Sequence, residues 1–236
     1  MEVGNGIHVN KGEQWSFDNH VAEQFDEHVK LSVPMYNEGH EMICYLSDFF
    51  VSDHSTIYEI GSSTGALISK LYNRHSHKKK LKFIGVEPIS KMIGVAKQHE
   101  NAKHIEYVHR LIEYMNLIKC NLVVSYYCLQ FVELSQREKV CQKIYDALLP
   151  GGALIIFEKE MSDDSKIEKL FTSTYIKFKM NSGFSSEEVI AKQLSLEGVM
   201  KTNTHDENKK MLKQAGFSHV ASVMKFGEFN GYVCTK

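Results

Sequence analysis

The stretch STIYEIGSSTGALISKLYNRH, residues 55–75, decides the fold. An apolar run (TIYEI) enters a glycine turn, and an amphipathic segment (ALISKLYNRH) leaves it. That is the strand–turn–helix opening of a nucleotide-binding α/β unit. A dinucleotide turn places a middle glycine where the backbone must approach a pyrophosphate closely. Here Gly61 and Gly65 flank Ser63 instead. The turn keeps its backbone freedom but suits a ligand without phosphates.

Outward from this turn, short apolar runs alternate with longer amphipathic ones. TIYEI, LKFIGV, IEYVH, NLVVSYY and GALIIFE read as strands, and PISKMIGVAKQHE and SQREKVCQKIYDALL read as helices between them. Such alternation predicts right-handed β-α-β units and a parallel sheet. LLPGG at 148–152 stops a helix and starts a strand. Before Ser55, NHVAEQFDEHVKLS and YNEGHEMICYLSDFF read as helices broken at Pro34. DSKIEKLFTSTYIKFK and SSEEVIAKQLSLEGVMK predict two later helices, and the end of the chain predicts a helix stopped by Gly216 and two strands. The fold expected is α/β, Rossmann-like: a mostly parallel seven-stranded sheet with a C-terminal antiparallel strand. One domain is expected over 1–236, with a helical cap at 1–54, a cofactor-binding core at 55–161, a helical insert at 162–201 and a closing helix with strands at 202–236.

Composition narrows the function. With 236 residues, 43% hydrophobic and 24% charged, the chain suits one globular domain. With a formal charge of −1, nucleic acid is not expected as a partner. No apolar run approaches the roughly 20 residues of a membrane span. The first residues lack the apolar core of a signal peptide. Five scattered cysteines without a C-x-x-C pair predict a reduced, cytoplasmic chain with no zinc site. The 12 histidines show no metal-ligand spacing, so no metal is expected.

Two acids accompany the turn. Glu87 follows LKFIGV, where a carboxylate accepts hydrogen bonds from ribose hydroxyls. Glu59 sits beside the turn, where it can receive the ammonium of an amino acid. An ordinary strand-to-helix turn with incidental acids is the competing reading. Glycine turn, ribose acid and ammonium acid together suit S-adenosylmethionine better than NAD.

The chain resembles the class I S-adenosylmethionine-dependent methyltransferases. More narrowly, it is similar to the carboxy-S-adenosylmethionine synthases that serve tRNA wobble-uridine modification. The resemblance runs from about Trp15 to the C-terminus. WSFDNHVAEQFDEHVKLSVPMY, LQFVE, KIYDALLPGGALIIFEK, SGFSSEEV, and LEGVM followed by LKQAGF carry it. It implies S-adenosylmethionine as cofactor, a small-molecule substrate and a homodimer whose helical insert reaches toward the neighbouring site. It implies that Tyr36 covers the methionine end, that Gly61, Ser62 and Ser63 line the amino-acid part with Gly65 closing the turn, and that Glu87 and Pro88 bind ribose. Met92, Gln130 and the segment Arg110, Leu111, Ile112 complete the cofactor set, the last flanking adenine.

The chain departs from this pattern. The family has an Asp-Asn pair where Glu87 and Pro88 stand, and an Asp in the adenine segment that this chain lacks. The family's Asn after the fourth strand falls on Tyr126. Its arginine before L-E-x-V, which grips the extra carboxylate of carboxy-S-adenosylmethionine, falls on Gln193. A neutral amide does not replace a guanidinium fork. Lys179 and Lys192 are the nearest positive charges that could compensate. Tyr36 and Tyr126 are read as catalytic, their faces attracting the sulfonium. Gln193 and Tyr175 are the substrate-side candidates, although packing is the stronger reading for Tyr175. Methyl transfer to a small molecule is the first expectation. Carboxy-S-adenosylmethionine synthesis from prephenate and acceptor-free cyclisation of the aminocarboxypropyl arm are the alternatives.

Overall fold

The computed structural model describes residues 2–8, 14–17 and 21–236. Five strands, β1 (Thr56–Ile60), β2 (Lys82–Glu87), β3 (Ile105–His109), β4 (Cys120–Tyr126) and β5 (Leu148–Met161), run parallel in the order β3-β2-β1-β4-β5. Two C-terminal strands, β7 (His219–Phe226) and β8 (Phe229–Thr235), extend the sheet beyond β5, with β8 antiparallel to both neighbours. A two-residue β6 (Asn203–Thr204) pairs with the end of β5 and was not legible as a strand. β1 is buried at every position, as a central parallel strand must be when both faces are covered.

Helices α1 (Phe25–Ser32) and α2 (Tyr36–Ser47) precede the sheet, and α3 (Ala66–His75), α4 (Ser90–Ala96) and α5 (Leu134–Ala147) cross between strands. α6 (Ser165–Asn181) and α7 (Ser186–Leu196) form the insert, and α8 (His205–Gln214) leads into β7. Two apolar layers sandwich the sheet. One packs Val140, Ile144 and Leu212 against Val123 and Leu154; the other packs Ile43, Leu67 and Leu71 against Ile57 and Leu122.

Some expected helices are shorter. The segment 185–201 is helical only to Leu196, because Glu197 already has extended dihedrals (φ −60, ψ 126). The first expected helix begins at Phe25, and its residues 19–20 lie outside the described residues.

The fold positions one site. The chain builds outward from β1 to β2 and β3, then returns to place β4 on the other side of β1. A crevice opens at the carboxyl ends of strands at such a switch point. Helices α1, α2, α6 and α7 roof it. Thr64 Oγ1 donates to Asp26 Oδ1 at 2.5 Å, Tyr126 to the Tyr36 carbonyl at 2.8 Å and Tyr175 to the Ser32 carbonyl at 2.9 Å. The Trp15 N–H donates to the Ser195 carbonyl at 2.7 Å.

Candidate functional site

The turn between β1 and α3 is fixed by its backbone. Gly61 N–H and Ser62 N–H both donate to the Val86 carbonyl on β2, at 2.8 and 3.1 Å. Gly61 has φ +70, and a Cβ there would stand 2.5 Å from Cys128 Sγ. The glycine is therefore required by its dihedral and by the chain after β4. Ser63 also takes a left-handed conformation, with φ 50. Gly65, expected in the cofactor set, lies off the cavity wall: its α-carbon faces Tyr107 and Ala96 and closes the helix onto the sheet.

The turn opens into a cavity of about 530 Å³, within the roughly 300–1,000 Å³ usual for small-molecule sites. The structure brings Tyr36, Glu59, Gly61, Ser62 and Ser63 to its wall, with Glu87, Pro88 and Met92 beside them. Arg110, Leu111 and Ile112 close one end, and Tyr126, Gln130, Tyr175 and Gln193 stand around the rest.

The acids differ in what they have left to offer. Glu59 is buried, and its Oε2 has no hydrogen-bond partner among the described residues. Burial pushes its carboxyl well above the usual range, against the Ile68 N–H, and nearby Glu87 adds to the rise. An ammonium arriving here would supply the missing donor and the opposite charge. The buried Ser62 hydroxyl is likewise without a partner. Glu87 accepts from Ser63 N–H at 2.8 Å and from Ile89 N–H at 2.9 Å, one bond on each oxygen. It ties the turn to the start of α4 and still has a lone pair on each oxygen for hydroxyl donors.

Tyr36 and Tyr126 stand on one wall rather than across the cavity from each other. Their rings touch, with centroids 5.3 Å apart, and His40 packs on both at 4.5 and 4.8 Å. The Tyr126 hydroxyl nests against Gly39 on α2, where any Cβ would collide with it. Burial pushes both phenols up, so they stay neutral. Tyr127 follows with φ 54, a strained conformation for a bulky residue at the end of a strand. Its ring lies 4.7 Å from Tyr126 and 5.8 Å from Phe229.

Gln130 is mostly spent on structure. Its Oε1 accepts from Lys159 N–H at 2.8 Å, and its amide nitrogen meets Met200 Sδ at 3.3 Å. Gln193 is exposed on α7, and its side chain makes no hydrogen bond among the described residues. Tyr175 lines the wall and is packed as well, with Lys159 Nζ 4.6 Å over its ring and Phe229 5.2 Å away. Sequence reasoning missed Cys128, Lys159, Glu228 and Phe229 in the lining. Lys159 and Glu228 form an ion pair at 3.0 Å. Lys159 lies near the end of β5, while Glu228 lies in the turn between β7 and β8, where no strand alternation marks it.

A methyltransferase domain model matches residues 57–152. The carboxy-S-adenosyl-L-methionine synthase of Staphylococcus epidermidis is 33% identical over 224 residues, covering 94% of this chain and 97% of that one. The Campylobacter lari protein of the same name is 31% identical over 225 residues, covering 94% and 95%. Among solved structures, human N-acetylserotonin methyltransferase in complex with S-adenosylmethionine is similar at TM-score 0.62 and 16% identity, covering 91% of this chain and 55% of that one. A TehB-like S-adenosylmethionine-dependent methyltransferase from Corynebacterium glutamicum is similar at TM-score 0.57 and 14% identity, covering 91% and 95%. The two structures speak to the fold alone.

Proposed function

The chain belongs to the carboxy-S-adenosyl-L-methionine synthase family of the class I S-adenosylmethionine-dependent methyltransferase fold, and from that premise we propose that it transfers the methyl group of S-adenosylmethionine to a small-molecule acceptor. The observation that carries this reading is the missing clamp. Where the family resemblance implies a carboxylate-gripping arginine, Gln193 is neutral and exposed. Where it implies an asparagine, the Tyr126 hydroxyl is committed to the Tyr36 carbonyl.

The cofactor fits the residues present. The unpaired Glu59 carboxyl would hold the ammonium, and the Glu87 carboxylate the ribose hydroxyls. Ser62 and the turn backbone would hold the amino-acid part, Pro88 would join Glu87 at the ribose, and Met92 and the segment Arg110–Ile112 would enclose the base. Bound there, the cofactor supplies a methyl group already activated on a positive sulfur. The faces of Tyr36 and Tyr126 would favour that charge by roughly 0.5–2 kcal/mol, by cation–π attraction. The roof of α1, α2, α6 and α7 would exclude water and align the acceptor, which supplies most of the rate in such a displacement.

A specific observation favours carboxy-S-adenosylmethionine synthesis as the second reading. The match to the Staphylococcus epidermidis synthase, at 33% identity, spans 94% of the chain, and Lys179 and Lys192 line the cavity together with Gln193. Product analysis after incubation with S-adenosylmethionine, with and without prephenate, separates the two. S-adenosylhomocysteine formed only with an acceptor supports methyl transfer. Carboxy-S-adenosylmethionine supports the synthase, and methylthioadenosine formed unaided supports cyclisation of the aminocarboxypropyl arm.

Two further readings belong to this proposal. All five cysteines are free thiols, which supports a cytoplasmic setting. No helix among the described residues is long and apolar enough to cross a membrane. The exposed apolar side chains of the insert, Leu170, Ile190 and Leu194 among them, support the homodimer.

A further inference from the structure

Two lysines in the insert are placed as surface lysines are not. Lys179, in the last turn of α6, is 2% exposed, and Lys192, on α7, is 9% exposed. Both line the cavity. Their ammonium groups touch aromatic rings instead of acids. Lys179 Nζ lies 4.6 Å from the Phe184 centroid and 6.0 Å from that of Tyr175, and Lys192 Nζ sits over Trp15. Neither makes an ion pair or a side-chain hydrogen bond among the described residues. A buried ammonium without an anion is costly. The two also repel each other, and among the described residues neither amine has an anion.

The surroundings do not complete it. Glu188, the acid nearest Lys179 in charge, is spent on the Ser185 N–H of a capping box. Glu228 is paired with Lys159, and Glu168 accepts from Ser162 N–H at 2.7 Å. His28 on α1 is neutral: burial first, and then the two lysines, push it down to about 3. Tyr175 remains a neutral phenol because burial pushes it up. Among the described residues, then, no acid pairs with either amine on this wall. It lies on α6 and α7, in the insert.

We infer that Lys179 and Lys192 together seat a carboxylate of the acceptor, held between Trp15 and Tyr175 on the insert side of the cavity. The inference rests on reading the cavity as a two-substrate site and names the chemistry of the second substrate. Each ammonium would give the anion a charge-assisted hydrogen bond, which neither lysine makes among the described residues. The rings would keep water away and strengthen both bonds.

The anion also changes protonation. Burial, with help from Lys159, pushes Lys179 down to about 8. Burial, and then Lys179, push Lys192 well below its usual range. An arriving carboxylate raises both groups, so binding takes up protons, and affinity must fall as pH rises through about 8.

The test is calorimetry on the full chain saturated with S-adenosylhomocysteine, using benzoate, phenylpyruvate and prephenate as probes. Carboxy-S-adenosylmethionine is titrated separately into unliganded protein. Wild type is compared with Lys179→Met and Lys192→Met, which keep side-chain length, and with Lys192→Arg, which keeps the charge. At least one free carboxylate should bind wild type with proton uptake, and each Met variant should weaken it by about tenfold or more. Lys192→Arg should retain binding, and affinity for S-adenosylmethionine should change by less than about threefold in all variants. Melting curves confirm that each variant folds. Wild type binding none of the probes, or binding them no better than the Met variants, overturns the inference. Dependence on the lysines for carboxy-S-adenosylmethionine alone overturns the acceptor assignment. Enzymatic formation of carboxy-S-adenosylmethionine, with lysine-dependent binding of free carboxylates intact, sinks methyl transfer and leaves the carboxylate seat standing.

Discussion

Glu59 has the sharpest consequence of any single side chain. Its Oε2 is buried without a partner, so an ammonium bound there gains a charged hydrogen bond worth about 1.5–3 kcal/mol. Glu59→Gln should weaken S-adenosylmethionine binding by about tenfold to a hundredfold while leaving the fold intact. Calorimetry showing unchanged affinity would remove Glu59 from the site. Glu87→Ala should do double damage. It removes the ribose acceptor and leaves the Ser63 and Ile89 N–H groups unpaired, costing about 1–3 kcal/mol of stability as well. Urea denaturation and calorimetry should both register it, and an unchanged midpoint would contradict the double role. Gly61→Val should fail to fold well, because its Cβ would meet Cys128 Sγ at 2.5 Å on a backbone with φ +70. At this scale the turn, the two acids and the Gln193 departure were legible, because each lies within or beside a motif. The Cys128 contact was not, because it joins residues 61 and 128 through the register of β1 with β4.

The element that holds the far side of the site is the end of β4 and its return to β5. Glu158 on β5 is buried and accepts from Leu129 N–H at 2.9 Å. Arg137 on α5 ties the same region together through the carbonyls of Val132, Gln130 and Lys201. Burial pushes the Glu158 carboxyl up to about 8 from 4.5, despite the Arg137 charge and the backbone N–H groups. A folded value above the unfolded one means that the native state holds its proton longer. The stability it confers is complete below about pH 4.5 and is lost as pH rises through about 8. Glu158→Gln, which keeps an acceptor for Leu129, should flatten the fall in melting temperature across that interval. A mutant whose profile matches wild type would show that Glu158 is ionised in the native protein. Strand positions here were readable because buried parallel strands are short apolar runs bounded by turns. The boundary of α7 was not, because residues 197–201 keep a helical apolar spacing while the backbone turns away at Glu197. β6 is two residues long and exists only through its pairing with β5.

For the whole molecule, the sheet order was legible from the alternation of runs, since β-α-β handedness leaves few arrangements. The shape of the cavity was not, because its roof comes from α1, α2, α6 and α7, whose docking depends on contacts such as Thr64 with Asp26 and Tyr175 with Ser32. Leu170, Ile190 and Leu194 remain exposed on the insert, at 62%, 57% and 53%. Sedimentation at micromolar concentration should therefore give twice the chain mass, and a monomer would contradict the homodimer. The central claim is that this chain keeps the cofactor site of its family but not its carboxylate clamp. Mass spectrometry of the products formed from S-adenosylmethionine tests it most directly, with prephenate in one reaction and a deproteinised small-molecule extract in another. The account predicts S-adenosylhomocysteine only in the extract reaction and no carboxy-S-adenosylmethionine in either. Carboxy-S-adenosylmethionine accumulating with prephenate would contradict it.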